Sequence, residues 1–163
     1  MAHAALSALL PAPTGGYLPY WMLLISGVAV FNAAQNYLTT ALTRKVYARS
    51  PASVNPLQAR LFGVWTLTSA FVRLYAAYHL PLKPMYDLAL VSYAIALAHF
   101  GSEALVYRTV GLQGLAGPLV VSTTSLVWMW QRASLPPGRS SSRVAPQLTA
   151  PAAPAEYDFY VRP

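Results

Sequence analysis

The chain has 163 residues, of which 56% are hydrophobic and only 9% are charged, and it contains no cysteine. Because soluble domains carry roughly a quarter charged residues, this deficit predicts a membrane protein. The missing cysteine excludes disulfides, thiolate zinc sites and cysteine nucleophiles. Eleven basic and four acidic residues give a net charge of +7. They form no basic face with interleaved aromatic residues, which excludes a nucleic-acid-binding function.

The first half of the chain predicts an N-terminal arm and two transmembrane helices. The arm, residues 1–16, lacks the positively charged start and the long apolar stretch of a cleaved signal peptide. The first predicted span is residues 17–38, near the roughly 20 residues that cross a bilayer. The second is residues 57–80, where Asn55 is a favourable N-cap and Pro56 suits the first helical position.

The second half of the chain predicts two more spans and a tail. After the PLKP stretch, the third span covers residues 85–107, and the fourth covers 114–131 with Pro118 near its start. The tail, residues 133–163, is rich in Pro, Ser and Ala, so we expect it to be disordered. The predicted fold is therefore an all-α, polytopic membrane protein. Four transmembrane helices form a bundle over residues 17–132, and both termini are disordered.

Aromatic residues support this layout, because tyrosine and tryptophan collect at membrane interfaces. Four spans place both chain ends on one side of the membrane, which we call side A, opposite side B. Seven aromatic residues then fall at the side A interface: Tyr17, Tyr20, Trp21, Tyr78, Tyr86, Trp128 and Trp130. Five basic residues on each side leave the orientation open under the positive-inside rule.

Polar side chains inside the spans are costly and indicate function or helix packing. In the hairpin of the second and third helices, residues at equal depth have numbers that sum to about 166. This counting puts Glu103 level with Gly63, within reach of Arg60, and puts His99 close to Thr66. It predicts a polar cluster near side B composed of Asn32, Gln35, Asn36, Arg60, His99 and Glu103.

Arg73 is a separate case, because it lies level with Tyr93, with no carboxylate at that depth. Three interpretations stay open. The side chain extends toward side A and Asp87, faces a partner protein, or faces an anionic ligand. On the third helix, small residues at 94, 98 and 102 form a stripe suited to close helix contact. That stripe serves packing within the bundle or self-association.

The pair His99 and Glu103 raises the question of chemistry. A metal site needs more ligands than these two, so we predict no metal and no cofactor. Acid–base catalysis is an alternative, since a buried glutamate beside a histidine can move a proton in a sterol or lipid. A hydrogen-bond network between helices is the other interpretation. The Gly-rich stretch 111–117 lacks the spacing of a phosphate-binding loop.

Two sequence strings carry a family resemblance: LQAR-x-FG-x-WT in the second span and AHF-x-SE-x-x-VY in the third. Together with FNAAQNYLT in the first span and GLAGPLVVSTTSLVWM in the fourth, they resemble the ergosterol biosynthetic protein 28 family. The resemblance covers residues 18–131 and leaves out the arm and the tail.

The resemblance implies a multi-pass protein of the endoplasmic reticulum membrane without catalytic activity. It would act as a scaffold in sterol biosynthesis. The implied partners are the sterol C-4 methyl oxidase, the C-3 sterol dehydrogenase/decarboxylase and the 3-keto sterol reductase, with the sterol C-24 methyltransferase as a further associate. The alternative is a sterol-binding protein or a sterol-modifying enzyme that uses Glu103 and His99 as acid and base. The candidate network or docking residues are Asn32, Gln35, Asn36, Gln58, Arg60, Trp65, Thr66, Arg73, His99, Ser102 and Glu103.

Overall fold

A computed structural model describes residues 10–11 and 16–134, except for the side chain of Ser134. This part of the chain is all-helical and has no strand, as predicted. Four long helices and one short helix follow in order: α1 Leu18–Leu38, α2 Ala41–Val46, α3 Pro56–Tyr78, α4 Lys83–Leu105 and α5 Leu112–Ser134. A single 3₁₀ turn, Pro51–Ser53, precedes α3. Residues 133–134, which we predicted to begin the disordered tail, belong to α5 instead. The rest of the tail and most of the N-terminal arm, which we predicted to be disordered, lie outside the described residues.

Three of the long helices, α1, α4 and α5, are long and apolar enough to cross a membrane. The helix α3 has the same length as α4, but its polar residues, Arg60 and Arg73 among them, lower its mean hydropathy. The all-helical fold is therefore confirmed. That all four long helices cross the membrane remains a prediction, as do the domain boundaries.

The start of α3 forms as its sequence predicts. The Asn55 side chain accepts a hydrogen bond from the Gln58 backbone N–H at 2.9 Å, and Pro56 occupies the first turn. This cap satisfies one of the amide groups that a helix start leaves free. The short helix α2 was not predicted, because its six residues, ALTRKV, are too few to show an apolar period.

The most extensive helix contact joins α1 to α3, through small side chains. Ala29 and Ala33 of α1 are buried, as are Ala59 and Gly63 of α3. A Cβ atom added to Gly63 would lie 3.1 Å from the Asn36 Cβ and 3.2 Å from the Ala33 oxygen. Small residues therefore let these two backbones approach closely, a common device between membrane helices.

Two apolar clusters lie at opposite ends of the bundle. The side A cluster contains Leu18, Met22, Ile25, Ala76, Ala77, Leu80, Ala89, Tyr93 and Met129. The side B cluster contains Tyr47, Val54, Phe100 and Val110. Polar bonds join α5 to the first cluster, since Trp21 Nε1 donates to Ser125 Oγ at 2.9 Å and the Tyr86 hydroxyl donates to the Met129 oxygen.

At the side B end, backbone hydrogen bonds tie the α1–α3 connection to the α4–α5 turn. The Arg49 N–H donates to the Thr109 oxygen at 3.0 Å, and the Gly111 N–H donates to the Val46 oxygen at 3.3 Å. Arg108 takes a left-handed backbone conformation, φ 55°, which turns the chain after α4. The two connections thus lie at one end, as alternating helix directions require.

Candidate functional site

His99 is held by the α1–α3 connection. Its Nε2 atom lies 2.9 Å from the Tyr47 hydroxyl, and its ring packs edge-on against Trp65 and Phe100 with centroids 5.1 Å away in each case. The predicted contact between His99 and the Thr66 hydroxyl is wrong, because Thr66 donates to the Phe62 backbone oxygen of its own helix. His99 is therefore part of an aromatic cluster closed by a tyrosine.

The Tyr47 hydroxyl is suited to donating that hydrogen bond. Tyr47 is buried, and burial raises the pKa of its hydroxyl from 10.0 to about 12, with a further contribution from the nearby Glu103 charge. A phenol with this pKa keeps its proton at physiological pH. It can therefore donate to a neutral imidazole and fix its orientation.

Glu103 bonds to the turn that follows its own helix. The Thr109 hydroxyl donates to Glu103 Oε2, and the Thr109 N–H donates to the Glu103 backbone oxygen at 2.9 Å. The predicted ion pair with Arg60 is wrong, because no ion pair joins the Glu103 carboxylate to Arg60. Within the described residues, the ion pair that forms is Lys83–Asp87. The left-handed Arg108 brings Thr109 back over the carboxylate, so a nearer partner replaces the long arginine.

Asn36 of the predicted cluster and Ser102, another candidate residue, also bond locally. Thr43 of α2 donates to Asn36 Oδ1 at 2.6 Å, and both side chains are buried. Ser102 donates to the His99 backbone oxygen at 2.8 Å. The partners that sequence reasoning missed are Thr43, Tyr47 and Thr109, all in connections. One signal could have found them: buried polar groups are nearly always hydrogen-bonded, so each buried polar side chain predicts a partner nearby.

Arg73 lies level with Tyr93, as predicted. Its guanidinium carbon is 4.1 Å from the Tyr93 ring centroid. Nε donates to Ser92 Oγ and Nη2 to the Ser92 oxygen, each at 3.2 Å. Only 6% of Arg73 is exposed. The interpretation in which Arg73 extends to Asp87 is wrong, because Asp87 pairs with Lys83.

Between the two apolar clusters, the bundle contains a cavity of about 400 Å³. Apolar side chains form most of its lining, and its polar members are Asn32, Thr66, Ser69, Arg73 and Ser122. His99 and Glu103 are not among the lining residues. No group of three or more metal-ligating side chains occurs within residues 16–134.

The small-residue stripe of α4 faces outward. Ala94 and Ala98 are exposed, while the buried face of the helix carries Ala89, Ala96 and Phe100. The interpretation that this stripe packs within the bundle is therefore wrong for its two alanines. Self-association through the stripe remains a prediction.

We expect Tyr47 to give the protein a specific alkaline sensitivity. Between about pH 10 and pH 12, the folded protein keeps the Tyr47 proton that the unfolded chain has lost. The contribution of the Tyr47 proton to the stability is therefore fully present below pH 10 and is lost as the pH rises through that window. The free energy of unfolding, measured by denaturant titration in detergent, should fall by about 2 kcal/mol more in the wild type than in Tyr47→Phe.

A matched control is Tyr107→Phe, which removes an exposed hydroxyl at the same end of the bundle. It should follow the wild-type pH profile. Parallel profiles for the wild type and Tyr47→Phe would contradict the burial argument.

Comparison with known proteins assigns the chain to a family. The sequence model of the family described as Erg28 like protein matches residues 18–127. The chain belongs to the Erg28 family. The match covers the four long helices, except for the last residues of α5, together with both connections at the side B end.

Curated relatives agree with this Erg28 assignment. The chain is 50% identical over 124 residues to ergosterol biosynthetic protein 28 of Candida albicans, covering 76% of this chain and 90% of that protein. It is 51% identical over 125 residues to the Saccharomyces cerevisiae protein of the same name, covering 76% and 84%. The human homologue is 38% identical over 111 residues, covering 67% and 79%. No solved structure matches the chain. The chain is thus a member of the Erg28 family, and the part of it that the structure describes contains three helices able to cross a membrane.

Proposed function

We propose that the chain is a non-catalytic scaffold that tethers the enzymes of sterol C-4 demethylation at the endoplasmic reticulum membrane. Membership of the Erg28 family, whose curated relatives are named for ergosterol biosynthesis, supports the pathway. The enzymes to be tethered are the C-4 methyl oxidase, the C-3 dehydrogenase/decarboxylase and the 3-keto reductase. The C-24 methyltransferase is a further partner.

The hydrogen bonds of His99 and Glu103 support the non-catalytic part of this proposal. His99 bonds to Tyr47, and Glu103 bonds to Thr109. A general acid or base must reach the proton that it transfers, within about 3 Å in a plausible substrate pose. Neither His99 nor Glu103 lines the cavity, so a substrate held there would not touch them. Their bonds instead join the connections to the helices.

A scaffold of this kind works through effective concentration. Holding successive enzymes together turns the transfer of a poorly soluble intermediate into a local event, without new chemistry. The outer faces of the helices offer apolar area for neighbouring membrane helices. Exposed examples are Leu61 and Phe71 on α3 and Ile95 on α4. Packing and interhelical hydrogen bonds drive such association.

Co-purification tests the proposal. The full chain, tagged, is expressed in a Saccharomyces cerevisiae strain that lacks its 51% identical relative. Pull-down from solubilised microsomes should recover the three demethylation enzymes together, and C-4-methyl sterols should fall. A chain that reaches the membrane but recovers none of the enzymes would refute the scaffold.

The enzyme alternative has its own test. The purified chain in lipid nanodiscs should leave C-4-methyl sterols unchanged. Turnover by the chain alone, lost in Glu103→Gln but retained in Asp87→Asn, would establish acid–base catalysis instead. Asp87 is a fitting control because it is an exposed carboxylate on the same helix.

A further inference from the structure

The cavity exists because α5 stands away from the other helices along one part of its length. An added Cβ at Gly117 would meet no atom within 4 Å, whereas Gly114, one turn earlier, is in tight contact with Val46. Pro118 follows, and the small side chains of Ala29 on α1 and Ala96 on α4 also line the cavity. About 400 Å³ of space remains, within the roughly 300–1,000 Å³ typical of small-molecule sites.

The cavity is open to the outside between α1 and α5. Val28 and Phe31 of α1 line it and are also 57% and 61% exposed. Both helices are candidate membrane spans, so in a bilayer this opening faces the lipid acyl chains. A molecule dissolved in the membrane can therefore enter sideways, and its apolar part can project back between α1 and α5.

Arg73 lines this cavity with a positive charge that the described chain does not neutralise. Two of its five N–H donors are used, both on Ser92. The chain has four acidic residues. Asp87 and Glu103 bond to Lys83 and Thr109. The other two, Glu156 and Asp158, lie outside the described residues.

A buried cation at this depth is costly and calls for an anion or a strong acceptor. The Tyr93 ring supplies a partial cation–π contact. A carboxylate matches the remaining donors of the guanidinium, because it can accept two parallel hydrogen bonds. Ser69 and Asn32, which also line the cavity, add further polar contacts. The occupant that fits is an apolar molecule with one anionic group.

We propose that this cavity binds a sterol carboxylic acid, with its carboxylate on Arg73 and its ring system against the apolar walls. The choice of a sterol rests on the proposed function. Removal of a methyl group by an oxidase and then a decarboxylase passes through a carboxylic acid at that carbon. A scaffold between these two enzymes meets that acid. The site would hold the acid between two successive reactions.

Equilibrium binding to the purified full chain in phosphatidylcholine nanodiscs tests this site. The probe is tritiated C-4-carboxylated cholestanol, compared with the C-4-hydroxymethyl analogue, which has the same skeleton without the charge. The acid should bind at least tenfold more tightly than the alcohol. Oleic acid, a carboxylate on a flexible chain, should compete at least tenfold more weakly than the sterol acid. Equal binding of acid and alcohol overturns the role of charge, and equal competition by oleic acid overturns the sterol.

Variants connect the binding to the residues. Arg73→Gln should weaken the binding of the acid at least tenfold and leave the binding of the alcohol unchanged. Arg73→Lys should restore part of the difference in affinity between the two. Arg60→Gln removes the same charge from an exposed position of α3 that does not line the cavity, and it should bind as the wild type does. An unchanged affinity for the acid in Arg73→Gln overturns the proposal.

A second variant covers the case in which Arg73→Gln does not fold. Gly117→Leu adds a side chain at a residue that lines the cavity and leaves Arg73 intact. It should weaken the binding of the acid and of the alcohol alike. Unchanged binding of both would refute the cavity as the site. Co-purification of the demethylation enzymes is measured in parallel. Intact tethering without acid binding refutes this site alone, and acid binding without tethering refutes the scaffold alone.

Discussion

Gly114→Ala is expected to lower the free energy of unfolding by about 2–3 kcal/mol, because the added methyl group has no room. Its Cβ would lie 2.5 Å from the Val46 Cα and 2.8 Å from the Val46 carbonyl carbon, and closer still to the oxygen. These are backbone atoms, which cannot rotate aside. The Gly111–Val46 hydrogen bond lies at the same contact and should weaken as well. Denaturant unfolding of the purified chain in detergent measures the loss.

Gly117→Ala provides the control for this substitution. It makes the same chemical change in the same helix, three residues later, where the new methyl group meets nothing within 4 Å. It should be neutral or slightly stabilising, since alanine favours a helix over glycine by up to about 1 kcal/mol. Equal losses in the two variants would show that contact with Val46 is not what lowers the stability of Gly114→Ala.

Tyr93→Ala is expected to cost about 3–5 kcal/mol, the range for removing a large ring from a core. Tyr93 is fully buried and belongs to the side A cluster together with Met22 and Met129. Its ring also lies beneath the Arg73 guanidinium. Truncation therefore creates a cavity and removes the cation–π contact in one step. The measurement is again the free energy of unfolding in detergent.

The conservative variant separates the ring from the hydroxyl. Tyr93→Phe keeps the packing and the face presented to Arg73, so it should change the stability by less than about 1.5 kcal/mol. A loss in Tyr93→Ala no larger than that in Tyr93→Phe would mean that the ring does not support the core.

Helix positions could be predicted because their signals are local. Asn55 and Pro56 start α3 through capping and a fixed backbone angle, and both act within one turn. Counting depth along the hairpin correctly paired Arg73 with Tyr93, because the short turn near Lys83 fixes the register. These features depend on neighbouring residues or on one tight turn.

The side B bonds could not be predicted in the same way. Depth counting treats two helices as straight rods and leaves out the connections between elements. Thr109 reaches Glu103 only because Arg108 takes a left-handed conformation, and Tyr47 reaches His99 from a connection 52 residues away in sequence. The cavity depends on how far α5 stands from its neighbours, a spacing that no local pattern encodes.

The two backbone bonds at the side B end have a consequence for biosynthesis. Arg49 and Val46 leave the ribosome before their partners Thr109 and Gly111 have been translated. The α1–α3 pair can assemble early, since its small-residue contact lies within the first half of the chain. The α1–α3 connection acquires these hydrogen-bond partners only after the turn between α4 and α5 has been translated. A chain cut between α3 and α4 would therefore carry an unfinished end, a feature that a quality-control protease can recognise.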